Sequence, residues 1–231
     1  MLLLSCESVR ADYYLEPCAE EVERAANTMV EIRRSWPLRP TGDPVVEALQ
    51  EFTDMVAKRT GEAKHREWRT YVVRDSQRNA ISIGGGRIFV TEGLLRFVEG
   101  AEELAALLTH EFAHHIAGHF CEGVRKRGWL SGWFGGGEDS SGRVGNLVAS
   151  MDLERELEAD WIGASMLEHG SYNPRVAVYL VARMLRANGP GDQAYGERMQ
   201  ALQEFLAGRE TKPWTHQSSS SAYRRLKEAL E

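Results

Sequence analysis

Several things these 231 residues lack narrow the field before any motif is considered. No run approaches the roughly 20 apolar residues that a helix needs to cross a bilayer, so the sequence offers no transmembrane candidate. Positive charge is in deficit, with 28 Lys and Arg against 34 Asp and Glu and a net charge of −6. Such a surface does not attract a phosphate backbone over a broad area, and nucleic acid is not an expected partner. The basic runs Arg125-Lys126-Arg127 and Arg224-Arg225 are short and read as solvated faces. Cysteine is scarce. Cys6, Cys18 and Cys121 never fall two to four residues apart, which excludes a thiolate zinc knuckle. Cys18 and Cys121 either pair in an oxidising compartment or stay as free thiols. No internal repeat and no linker rich in Pro, Ser and charge divides the chain, so one domain over residues 17–231 is expected after a tail at 1–16.

What is present is ordinary enough to build a core: 42% hydrophobic and 27% charged residues. In the tail, Met1-Leu2-Leu3-Leu4-Ser5-Cys6 is like the end of a bacterial lipoprotein signal, in which a short apolar run precedes a lipid-bearing cysteine. A chance run of leucines is the competing reading. Residues 17–36 show helical spacing through Val22, Ala25, Ala26, Met29, Val30 and Ile32 until Pro37 interrupts. A second helix is expected after Asp43 as N-cap with Pro44 at its first position. The period then falls to two. Residues 68–73, 79–83 and 87–91 read as short strands, the last two joined by Gly84-Gly85-Gly86. From Glu92 onward the pattern is helical, over about 101–117, 146–169, from Asn173-Pro174 onward, 194–207 and 220–230. The fold class is therefore α+β, mainly helical with a small sheet. Between the first two of these helices, residues 128–145 hold seven glycines together with Trp129, Leu130, Trp133 and Phe134. That mixture suggests a mobile lid or contact segment near a cleft, with a disordered connector as the competing reading.

The chemistry concentrates in His110-Glu111-Phe112-Ala113-His114. On a helix, a spacing of four sets both imidazoles on one face, one turn apart, where they can share an ion with a Glu beside them. A catalytic zinc keeps three protein ligands and one open position. One class takes the third from an extension with Gly and His three and six residues after the second histidine. Here those places hold Ala117 and Phe120, which excludes it, and His115 and His119 are then outer partners or ordinary helical histidines. The other class takes a Glu from a later helix, and 154–160 supplies one. Glu156 can complete the set, and Asp160, four residues on, can accept the outer N–H of a ligating histidine. Glu154 and Glu158 lie about 200° around from Glu156, toward solvent. Glu111 then serves as general base. Hydrolysis of a non-peptide substrate would use the same site.

At these residues the chain resembles the M48 peptidases of the gluzincin clan. Residues 79–95 are similar to the family's strand before the zinc helix, His110 to His119 to that helix, and Glu156 to Asp160 to its E-x-x-A-D segment. Gly170-Ser171-Tyr172-Asn173-Pro174 is similar to its G-Y-D-P turn. The resemblance implies a zinc-dependent endopeptidase with one Zn2+ per chain, polypeptide substrates, and Asn79, Ala80, Ile81 and Ser82 as an edge strand that binds extended peptide. It also makes His216, in place of the family's His-Pro, a candidate for steadying the oxyanion, against an ordinary loop histidine. The lack of multi-helix anchors points to the soluble or lipid-anchored branch, which acts in quality control in the bacterial envelope. That places the chain in the periplasm, held through Cys6 or free, with the cytoplasm as alternative. A zinc-stabilised chaperone or assembly factor that cuts rarely is the rival from another functional class.

Overall fold

Caps and turn glycines set the element boundaries. In a computed structural model of the chain, which describes residues 16–121, 152–188, 193–209 and 220–231, α1 (Ala19–Ser35) ends before Pro37. Asp43 accepts from Val45 N at 2.9 Å and starts α2 (Pro44–Thr60), which Gly61 closes in a left-handed conformation. The strands are β1 (Arg69–Val73), β2 (Ala80–Ser82) and β3 (Arg87–Thr91), in the order β1-β3-β2. β2 and β3 form the expected antiparallel pair around the three glycines, all at positive φ. A Cβ at Gly86 would lie 2.1 Å from the Glu67 carbonyl oxygen, so backbone passes where a side chain would have to sit. β1 joins the other side of β3 in parallel, leaving β2 at an edge.

Alternation along the strands assigns the two faces. Ile81, Ile83 and Phe89 pack with Ala25, Met29, Ile32 and Trp36 on the α1 side. Ala80, Ile88 and Val90 join the larger core under the remaining helices. Those are α3 (Glu92–Phe97), α4 (Ala101–Ile116), α5 (Leu153–His169), α6 (Arg175–Asn188), α7 (Gln193–Leu206) and α8 (Ser221–Ala229). The class is the α+β arrangement expected, mainly helical with a small sheet. One boundary differs: α5 begins at Leu153 rather than near 146, because the Asp152 carboxylate accepts from Arg155 N at 3.1 Å and caps it. The tail through residue 15, with Cys6, and the glycine-rich 128–145 lie outside the described residues. No described helix is long and apolar enough to cross a membrane.

α4 is the central element, buried at every residue except Glu102. Its C-terminal end is tied to α1 twice. Cys18 and Cys121 are disulfide-bonded across 103 residues, which resolves the alternative left open above. Beside the bond, Glu21 is fully buried, paired with Arg66 and 3.0 Å from His115 Nδ1, and it accepts from Gly85 N at 2.7 Å. Burial outweighs Glu21 and takes the His115 ring down to about 4, so this histidine is neutral, with its Nδ1 turned toward Glu21 and Arg66.

α4 meets α5 most closely at Gly163, where an added Cβ would stand 3.1 Å from His110 N and 3.2 Å from Thr109 C. A glycine inside a helix costs about 1 kcal/mol relative to alanine. Here it lets the two ligand-bearing helices approach. Gly163→Val should therefore push them apart, lowering stability by about 1–3 kcal/mol and weakening zinc uptake. Denaturant unfolding together with a zinc titration checks this, and normal values in both would show the close approach to be dispensable.

Candidate metal centre and active site

An apolar helix that buries two histidines and a glutamate must compensate them, because an unpaired buried polar group is costly. His110, Glu111 and His114 are 8%, 2% and 4% exposed. The two rings lie edge to face with centroids 4.7 Å apart. His110 Nε2 is 3.1 Å from His114 Nε2, and Glu156 Oε2 and Oε1 are 3.3 and 3.5 Å from these two nitrogens. Donors each about 2.0–2.1 Å from one tetrahedral ion sit about 3.3 Å from one another, so the spacing suits zinc. Two imidazoles and a carboxylate are also the donor set that zinc takes in catalytic sites. The structure thus brings together the three ligands expected from sequence.

Asp160 takes the outer position proposed for it. Its Oδ1 is 2.9 Å from His110 Nδ1, so the ring carries a proton on Nδ1 and turns Nε2 toward His114 and Glu156, where an ion would displace any proton on that nitrogen. Sequence reading missed what holds Asp160. Arg198 of α7, 4% exposed, donates from Nε and Nη2 to both carboxylate oxygens at 2.8 Å, and its Nη1 stands 3.0 Å from Glu156 Oε2. Burial alone would raise the Asp160 pKa. Arg198 and His110 reverse this and hold it at about 2, so the carboxylate stays ionised. A signal was available: Arg198 follows the inward stripe of Tyr195, Leu202 and Leu206, where a charged residue needs a buried partner.

Glu111 projects beside the ligands, and its Oε2 accepts from Ser82 Oγ of β2 at 2.6 Å. Burial pushes its pKa up while His110 and Ser82 pull it back, which suits a group that must take and return a proton. Of the four edge-strand residues, Asn79, Ala80 and Ser82 face this side, but the Ile81 side chain belongs to the α1-facing cluster. The pleat sends Ala80 and Ser82 one way and Ile81 the other, while Asn79 stands just before the strand. An apolar cavity opens beside His110, walled by Ala80, Leu107, Leu180, Val181 and Met184, and Asn79 lines it with a side-chain nitrogen that finds no partner.

Three other expectations can be placed. Glu154 is exposed, as expected, whereas Glu158 is only half-exposed and reaches His119 Nε2 at 3.2 Å. Arg225 pairs with Glu51 of α2 and takes no part in the site. His216 lies outside the described residues.

Removing one member of a buried ion pair strands its partner. Arg198→Met should therefore lower the stability of the metal-free chain by about 3–5 kcal/mol. Denaturant unfolding in chelator measures this, and a loss below 1 kcal/mol would show that Asp160 does not depend on Arg198.

Comparison with known proteins points to the same part of the chain. Residues 46–133, which include His110, Glu111 and His114, match the profile of Peptidase family M48. The mitochondrial metalloendopeptidase OMA1 of Schizosaccharomyces pombe is 31% identical over 173 residues, 71% of this chain and 47% of that protein. OMA1 of Arabidopsis thaliana is 26% identical over 74% of this chain and 37% of its own length. The beta-barrel assembly-enhancing protease of Yersinia pestis is 26% identical over 46% of this chain and 26% of its own length. The chain thus spans less than half the length of the curated relatives it matches. With the profile match spanning the strands and the buried helix that carries the His110–His114 motif, and with metalloendopeptidases among its relatives, the chain belongs to peptidase family M48.

Proposed function

We propose that the chain is a zinc-dependent endopeptidase that cleaves unfolded or misassembled polypeptides in an oxidising compartment. The observation that carries this reading is the placement of Glu111. A carboxylate buried to 2% exposure, at the lip of a three-ligand cluster and hydrogen-bonded to the edge strand, has no function in merely retaining an ion. When bound at His110, His114 and Glu156, zinc supplies Lewis-acid polarisation of the scissile carbonyl and acidifies water. Glu111 takes a proton from the attacking water and returns it to the leaving amine nitrogen. Asp160, braced by Arg198, keeps His110 in the tautomer and orientation needed for ligation. The open side of β2 offers main-chain groups at Asn79, Ala80, Ile81 and Ser82 to an extended peptide, which would be held next to Glu111. The apolar cavity beside His110 suits an aliphatic side chain flanking the cleaved bond.

The disulfide supports an oxidising compartment over the cytoplasm. Among the relatives, the name of the Yersinia protein refers to β-barrel assembly, and those of the OMA1 proteins to mitochondria. We place this chain in the bacterial envelope, where the sequence before Cys6 is like a lipoprotein signal and would allow peripheral anchoring.

Cleavage of unfolded casein and of a peptide library, with zinc content measured alongside, tests the proposal. Wild type should cleave and hold one zinc per chain, and Glu111→Gln should keep the metal while losing about 100- to 10,000-fold in rate. His110→Ala, His114→Ala and Glu156→Ala should each lose the metal. Capture of unfolded protein with no cleavage by zinc-loaded wild type would instead favour an assembly factor. In the library, Leu180→Ala should shift preference toward bulkier apolar side chains, and an unchanged profile would remove the cavity from substrate recognition.

A further inference from the structure

We propose that His119 and Glu158 form a second orienting chain behind the metal centre, in which Glu158 sets the tautomer of His119 and His119 sets that of His114. The proposal rests on the metal-binding reading above and extends it to two residues whose sequence context pointed to no partner for each other.

His119 is not a continuation of α4. Gly118, at φ 70°, turns the chain back after Ala117, and His119 N donates to the His114 carbonyl at 3.0 Å. On a continued helix, position 119 would stand about 140° around the axis from His114. The reversal instead lays the His119 ring over the outer edge of His114, with centroids 5.0 Å apart and Nδ1 to Nδ1 at 2.8 Å. His119 is 4% exposed, so water does not substitute for this contact.

Proton positions then follow from one another. Two ring nitrogens 2.8 Å apart require one donor and one acceptor, and a neutral imidazole has one of each. His114 Nε2 points into the ligand cluster, 3.5 Å from Glu156 Oε1, so its lone pair must stay free for an ion. The His114 proton is therefore on Nδ1 and is donated to His119 Nδ1. His119 in turn carries its proton on Nε2, which lies 3.2 Å from Glu158 Oε2. The opposite assignment would aim an N–H from His114 into the ligand cluster and a lone pair of His119 at a carboxylate. With the Nε2 lone pairs of His110 and His114 reserved for an ion, this order alone gives His114 Nδ1 and both His119 nitrogens a partner.

The geometry of α5 explains why an intermediary is needed. Asp160, four residues from Glu156, shares its face and reaches His110 directly. Glu158, two residues on, is turned about 200° away and cannot reach His114. It meets His119 instead, at a side-chain exposure of 46%. Within five residues one helix thus provides a ligand, a direct orienting group for one histidine and an indirect one for the other. Both Glu158 and His119 are positioning residues, since each acts through His114.

Zinc affinity measured by chelator competition on the purified full chain tests this without recourse to activity. His119→Phe, which removes the acceptor, should weaken zinc binding by about 10- to 100-fold. His119→Asn, whose amide oxygen can stand where Nδ1 stands, keeps the acceptor for His114 but not the reach to Glu158, and should restore most of that loss. Glu158→Ala should give a smaller loss, similar to that of His119→Asn. The double variant His119→Phe/Glu158→Ala should bind no more weakly than His119→Phe, because Glu158 acts only through His119. If His119→Phe does not fold, Glu158→Ala and His119→Asn carry the test on a half-exposed and a conservative position. Wild-type affinity in Glu158→Ala, or losses that multiply in the double variant, would overturn the chain while leaving the metal centre intact. A wild type that takes up no zinc, alongside an equally empty His110→Ala, would overturn the metal reading and this proposal with it.

Discussion

The bidentate pair between Arg198 and Asp160 is the interaction on which the centre depends. The cluster of His110, His114, Glu111, Glu156 and Asp160 gathers three carboxylates where water is nearly absent, and like charges at such range repel strongly in a low-dielectric medium. Arg198 lies against two of the three, donating through its planar fork to both oxygens of Asp160 and standing 3.0 Å from Glu156. Asp160 is thereby held ionised, His110 is held in one tautomer, and the ligand nitrogens face a common point. Lysine could not hold both oxygens in one plane, nor reach Glu156 at the same time.

The scaffold around this pair is built for rigidity. α4 passes through the interior, and α5 approaches it at the only kind of residue that permits contact at backbone distance, Gly163 beside His110. On the far side, Glu21, Arg66 and His115 form a buried ionic group adjoining the Cys18–Cys121 bond, which fastens α1 to the turn after α4. Buried ion pairs contribute little net stability, but they tolerate few alternative arrangements. The turn so fastened is the one that carries His119. The disulfide therefore lies close in the chain to a residue that contacts a ligand, two residues from His119.

β2, an edge strand among the described residues, is joined to Glu111 through the Ser82 hydroxyl. On the proposed reading, a peptide added to that edge would lie along the strand whose hydroxyl holds Glu111, and docking and proton transfer would share a hydrogen bond. The same short strand sends Ile81 to the opposite face to hold α1. Three residues thus present Ser82 to Glu111 on one face and Ile81 to the core on the other, a direct result of the two-residue period.

Sequence by itself determined whatever depends on short spacing. Histidines four apart must share a helix face, Glu156 and Asp160 four apart must share another, and the glycines at 84–86 must turn a hairpin, because helix and strand periods are set by backbone geometry alone. Asp43-Pro44 and Asn173-Pro174 marked helix starts for the same local reason. Tertiary structure alone decided the partners that meet across long separations: Arg198 with Asp160, Cys18 with Cys121, Glu21 with His115, and the parallel placement of β1 on β3. It also moved Glu158 from an expected solvent face onto His119, since Gly118 reverses the chain there by a turn that spacing does not specify. Which buried charge finds which counter-charge depends on how helices pack, and packing is a property of the whole core rather than of any segment.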